Sequence, residues 1–150
     1  MLIMHGSTEM VFAPEIRKGR FHKDFGVGFY CTGLESQAYR WATRFGTGYI
    51  NFYKYTPDPG LSVLTFPQMT EEWLDFVVKC RSGCAHTYDI VDGPMANDEV
   101  YNYVADFVDG TITREAFWEL VKFRYPTHQI SFHTERALES LKYVNARAVR

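Results

Sequence analysis

Three short stretches hold residues that could do chemistry, and they lie far apart in the chain. His5, Gly6 and Ser7 follow an apolar run at the N-terminus, residues 25–32 read FGVGFYCT, and Gln129 stands in HQISF. An imidazole can donate or accept a hydrogen bond near neutral pH. A tyrosine ring offers a flat apolar face with a phenol at its tip. Gly26 and Gly28, directly before Phe29 and Tyr30, allow two readings. One is a simple bend into a strand. The other is a backbone that passes close to a planar ligand, with Tyr30 as one wall of its pocket. Taken singly, His5 reads as structural or surface, Tyr30 as core, and Gln129 as half exposed. A fourth feature is the basic segment RKGRFHK at 17–23, with Arg17, Lys18, Arg20, His22 and Lys23. It is either a solvated loop or a loop that contacts phosphate.

The chain around these residues has 150 positions, of which 46% are hydrophobic and 23% charged, as expected of one soluble globular domain over 1–150. Aromatics make up 17% and are spread throughout, so most belong to a core while some are left to line a cleft. A net charge of −2 argues against a chain-wide nucleic-acid footprint. No apolar run approaches the roughly 18 residues of a membrane span, and the N-terminus lacks the basic segment of a signal peptide, so a cytoplasmic protein without membrane attachment is expected. Cys31, Cys80 and Cys84 are odd in number and fit free thiols in a reducing compartment. Cys80, Cys84 and His86 invite a metal reading but lack a fourth ligand, and no metal is expected. Dinucleotide-binding GxGxxG, P-loop, HExxH, CxxC-pair and GxSxG patterns are all absent.

The elements that must position the candidates follow from periodicity. MLIM reads as a short buried strand ending at His5-Gly6, and GFYCT as a second strand. ESQAYRWATRF carries Ala38, Trp41, Ala42 and Phe45 at helical spacing, which predicts a helix from Glu35 or Ser36 to Gly46 or Gly48. YINFYKY and LSVLTF are strands around a PDPG turn. TEEWLDFVVKCRSG is a helix capped by Thr70 and ended by Gly83. YDIVDGP is a strand. NDEVYNYVADFVDG and TREAFWELVKF are helices with Asn97 and Thr113 as caps. HQISFHT is a strand, TERALESL a helix capped by Thr134, and KYVNARAV a closing strand. Strands and helices mix without regular βαβ alternation, which predicts an α+β fold and excludes a doubly wound sheet.

Taken together, the motifs resemble those of the ADP-ribosyltransferase superfamily, in its diphtheria-toxin and poly(ADP-ribose)-polymerase branch with a His-Tyr-Glu triad. More closely, the chain resembles a compact bacterial family of ADP-ribosyltransferase-like domains of unknown function, in which MHGS, KDFGVGFYCT, QAYRWA, YDIVDGPMAND and QISFHT recur in this order. The resemblance covers nearly the whole chain. It implies two small β-sheets around an NAD cleft with flanking helices. It further implies that His5 binds a ribose hydroxyl, the Gly6 backbone meets the nicotinamide amide, Ser7 lies near the other ribose, Tyr30 stacks on nicotinamide, and Trp41 is a second stacking aromatic. Gly28 then helps shape the turn before Tyr30, and Arg20, with Arg17 as a second candidate, contacts the pyrophosphate. The catalytic set so implied is His5, Tyr30 and Gln129.

The third motif departs from the pattern, because active members carry Glu where this chain has Gln129. Glutamine keeps a hydrogen bond and loses both charge and base function, which argues against polymer elongation. Glu135 and Asp98 are the alternative sources of a carboxylate. The expected activity is an NAD-dependent mono-ADP-ribosyltransferase, of the kind that resembles a toxin encoded beside an antitoxin protein, with a protein or nucleic-acid acceptor. The alternatives are a catalytically weak NAD or ADP-ribose binding module, an RNA 2′-phosphotransferase on the same architecture, and a structural domain whose aromatics are all core.

Overall fold

The computed structural model describes residues 1–19, 23–96 and 98–150. Its elements run β1 (Leu2–Ser7), β2 (Phe29–Cys31), α1 (Glu35–Ala42), β3 (Gly48–Tyr55), β4 (Val63–Thr65), α2 (Glu71–Arg81), β5 (Ile90–Met95), α3 (Asp98–Val108), α4 (Arg114–Val121), β6 (Thr127–Phe132), α5 (Glu135–Leu138) and β7 (Leu141–Val149). They build two small sheets, β1-β3-β7 and β2-β6-β5-β4. Every pairing is antiparallel except β4 with β5. The architecture is α+β.

Strand β6 shows why the sequence folds this way. Its Ile130 and Phe132 pack with Ile3, Phe29, Cys31 and Tyr53 in a core on one face. On the other face, Ser131 pairs across the ladder with Tyr30 and with Val91. Those two belong to a second core with Trp73, Leu74 and Val77 of α2 and Val100 and Val104 of α3. A strand covered on both faces buries both sets of its side chains, so Gln129 and Ser131, which alternate with Ile130 and Phe132 as a half-exposed face would, are buried as well.

Thr70, Thr113 and Thr134 cap α2, α4 and α5 by accepting from the amides of Trp73, Ala116 and Ala137. The expected cap Asn97 lies outside the described residues. Helix α1 ends at Ala42, not at Gly46 or Gly48. Thr43 leaves helical geometry at φ −96° and ψ 9° with its hydroxyl bonded back to the Tyr39 carbonyl, the amides of Arg44 and Gly46 reach only three residues back, and Gly46 turns the chain at φ +106°. Phe45 therefore leaves the apolar stripe on which its spacing would put it, and stands 78% exposed.

Among the described residues the two sheets are joined at one isolated antiparallel bridge, Met4 to Thr32, with reciprocal amide-to-carbonyl bonds of 2.9 and 2.8 Å. Beyond it β1 and β2 form no further backbone pair and the strands part, each remaining paired on its other edge, β1 with β3 and β2 with β6. Helix α1 lies close against β1: a Cβ on Gly6 would come within 2.1 Å of the Ala38 carbonyl oxygen and 2.7 Å of the Ala42 nitrogen. The packing of α1 on β1 thus itself requires glycine at position 6. Gly6→Ala should lower unfolding stability by about 2 kcal/mol or more, read as a reduced urea midpoint with an unchanged m-value.

Candidate functional site

His5 sits where β1 and β2 part. Its Nδ1 lies 2.6 Å from the carbonyl oxygen of Tyr30, and its ring packs on Phe29 at 4.2 Å between centroids. A carbonyl only accepts, so Nδ1 carries the proton and Nε2 is left as an acceptor. Burial pushes the imidazole down to about 4, with the Tyr30 carbonyl acting in the opposite direction and Lys23 adding to the fall. The ring is therefore neutral at pH 7. Behind it, the fully buried Asn51 of β3 accepts from the amide of Val11 and donates to the carbonyls of His5 and Glu9. That side chain fixes the path of HGSTE.

Tyr30 is anchored by its own loop. Its hydroxyl donates to the Gly26 carbonyl at 2.6 Å and accepts from the Phe25 amide at 3.1 Å. Gly26 makes this return possible at φ +87°, a backbone region that side chains disfavour. Burial, and after it the charge of Asp24, pushes the phenol well above its usual range, so the hydroxyl is neutral. The Lys23 ammonium stands 4.8 Å from the centre of the ring.

Gly28 is small for a different reason. A Cβ there would meet His133 Nδ1 at 2.7 Å. His133 donates from Nδ1 to the Val27 carbonyl, and His86 Nε2 donates to the Phe25 carbonyl, while the two imidazoles contact edge to face at 4.4 Å. These rings brace the glycine loop from outside. Burial brings His133 down to about 4, with His86 contributing further.

His5, Gly6, Ser7, Tyr30, Trp41 and Gln129 line one cleft of about 530 Å³, together with Lys23, Asp24, Arg44, Phe45 and Tyr101. Gly28 lines an adjoining hollow of about 220 Å³ that shares His5, Ser7, Lys23 and Tyr30. A larger hollow of about 650 Å³ lies by Trp118, Arg124 and His128, and it contains none of the candidate residues. Arg20 lies outside the described residues. Arg17 lines the adjoining hollow, where its exposed side chain pairs with Glu9 and Glu15. Among the described residues, Lys23 and Arg44 are the cations on the main cleft. Glu135 is exposed and does not line that cleft, and the side chain of Asp98 lies outside the described part of the structure.

The carboxylate that does reach the cleft is Asp24. It is 7% exposed, and each of its oxygens is engaged. Oδ1 accepts from Arg81 Nε at 2.9 Å and Nη2 at 2.6 Å, while Oδ2 accepts from the Ala96 amide at 2.8 Å and Gln129 Nε2 at 3.3 Å. Arg81 in turn donates to the Tyr101 carbonyl and lies 4.1 Å over the Tyr101 ring. Sequence reasoning missed Asp24, Arg81, Asn51 and Arg44. The one available signal was the acidic residue placed directly before FGVG in an otherwise basic segment.

The fold and site define an α+β domain whose sheets part around a polar, aromatic-walled cleft. The family model described as a protein of unknown function, DUF3990, matches residues 1–143, and the chain belongs to that family. No curated protein and no solved structure matches the chain significantly.

Because the folded pKa of His5 and of His133 is depressed to about 4 from 6.5, the unfolded chain binds their protons first as pH falls. Stability contributed by these neutral rings should be fully present above pH 6.5 and be lost as pH falls toward 4. The loss is about 1–3 kcal/mol for each ring. Urea midpoints across that window check it, and His133→Gln should flatten part of the slope.

Proposed function

We propose that this protein is an NAD-dependent mono-ADP-ribosyltransferase on an ADP-ribosyltransferase fold, transferring ADP-ribose to a protein or nucleic-acid acceptor with release of nicotinamide. A toxin role opposed by an antitoxin protein belongs to the same reading. The observation that carries it is the meeting of His5, Gly6, Ser7, Tyr30, Trp41 and Gln129, from segments distant in sequence, on one cleft.

The residues present fit the substrate. A neutral His5 with Nε2 as acceptor suits a ribose hydroxyl. Tyr30 and Trp41 supply aromatic surface for the nicotinamide ring. Lys23 and Arg44 are exposed at the rim, where they suit the diphosphate. The cleft and its adjoining hollow are of the size that holds a ligand of this class. In this mechanism the chain orients and stabilises and makes no covalent bond. Nicotinamide leaves with the electron pair of the glycosidic bond, the ribose carries the resulting positive charge, and the acceptor bonds to the same carbon while giving its proton to solvent. His5 holds the ribose hydroxyl through this change. Gln129 offers an amide oxygen to the electron-poor sugar.

A binding module without turnover is the second reading, favoured by the amide in place of a carboxylate at Gln129. Purified protein incubated with NAD should release nicotinamide in a lysate-dependent manner, and His5→Ala should abolish the release. Saturable NAD binding without release would select the module. Lys23→Ala combined with Arg44→Ala should weaken NAD binding by about tenfold or more, and the remaining binding should respond less to salt. Unchanged affinity in that double variant would remove the diphosphate assignment.

A further inference from the structure

We infer that Asp24 is the positioning residue that supplies, through Gln129, the negative charge that the third motif lacks, so that the two side chains together act as one split glutamate. This rests on the transferase reading and extends it to a residue that motif matching does not reach.

Three observations carry it. Gln129 is 3% exposed and donates its Nε2 to Asp24 Oδ2, which fixes the sense of the amide and leaves Oε1 as its acceptor. Asp24 itself lines the cleft, while its partner Arg81 does not, so the cleft faces the negative end of the ion pair. In a water-poor site such an oriented charge acts strongly on charge developing nearby. Lastly, a glutamate at position 129 would set a second carboxylate against Asp24 at the distance where the amide now donates. Two carboxylates so close cannot both ionise easily. Glutamine is the residue that keeps the acceptor oxygen and pairs with Asp24. In this arrangement charge and hydrogen-bond acceptor are divided between two residues 105 positions apart.

The test is a charge swap. Asp24→Asn should lower the turnover of nicotinamide release by about tenfold or more at saturating NAD, with the urea midpoint measured alongside to separate this loss from unfolding. Asp24→Asn combined with Gln129→Glu reverses the hydrogen bond between the two positions and returns one carboxylate to the cleft, while the Ala96 amide loses its acceptor, and it should turn over several-fold faster than Asp24→Asn alone. Gln129→Glu alone should show a turnover that depends on pH across the neutral range, from the shared proton of the two carboxylates, and adding Asp24→Asn should abolish that dependence. A merely structural Asp24, needed to hold Arg81, would not be rescued by a change at 129. If Asp24→Asn turns over normally, or if the double variant is no faster than Asp24→Asn alone while still binding NAD, the proposal is overturned and the transferase reading stands. Wild-type protein that neither binds NAD nor releases nicotinamide overturns both.

Discussion

The buried carboxylate of Asp24 is the point on which the cleft depends. Removing an ion from water is costly, and a buried pair holds only when good geometry and added hydrogen bonds offset the loss. Here the offset comes from four donors: two on Arg81, the Ala96 amide and the Gln129 amide. Arg81 ends α2, Ala96 follows β5, Gln129 is in β6, and Asp24 leads into the FGVG loop. One carboxylate thereby ties its own loop to the end of α2 and to the neighbouring strands β5 and β6. The arrangement also explains why removing either partner of the ion pair is worse than never having had it, since the survivor would be left buried without compensation.

The other constraint is the parting of the sheets. Met4 and Thr32 form one bridge and no more. Past it, the next groups that would have continued the ladder are put to other uses: the Tyr30 carbonyl receives His5 Nδ1. A strand end that stops pairing with one neighbour normally exposes its backbone groups. β3 pairs with β1 through Ser7 and β6 pairs with β2 through Phe29 on the edges that face away from the gap, so the facing edges of these two outer strands are left to line it. The cleft is thus a consequence of topology, and Asn51, paired across from His5 in that ladder, sets the shape of its rim.

Much of the fold was legible because its elements obey local rules. The three threonine caps and the aromatic, β-branched strands stand where spacing places them. Helix α1 was read too long because Phe45 continues the apolar spacing, and spacing does not register the Thr43 side chain bonding back to Tyr39. The meeting of His5, Tyr30 and Gln129 on one cleft was reached through motif resemblance, since no local rule relates residues so far apart. The glycines were seen, but not the neighbours that require them: a Cβ at Gly6 would meet α1 and one at Gly28 would meet His133, neither of which periodicity relates to it. Asp24 escaped because its meaning lies in partners 57 and 105 residues away.

The electrostatics of the cleft follow from where water reaches. Arg44 stands at the exposed rim, where a cation keeps much of its hydration and meets an anion at little cost, while desolvation, and after it the Arg44 charge, lowers the Lys23 ammonium from the usual lysine range. Asp24 and Gln129 lie on the buried floor, where a charge is felt at close range and is weakly screened. Between them, burial holds His5 and Tyr30 neutral, so neither competes with the rim for an anion nor with the floor for a cation. On the proposed reading this separation matches the ligand, which brings a diphosphate and, as its glycosidic bond breaks, a positively charged sugar. A histidine protonated at neutral pH would repel that developing charge at the atom meant to orient it. The desolvation that lowers His5 is therefore part of how the cleft would work, and it arises from the same packing against Phe29 that closes the end of the core.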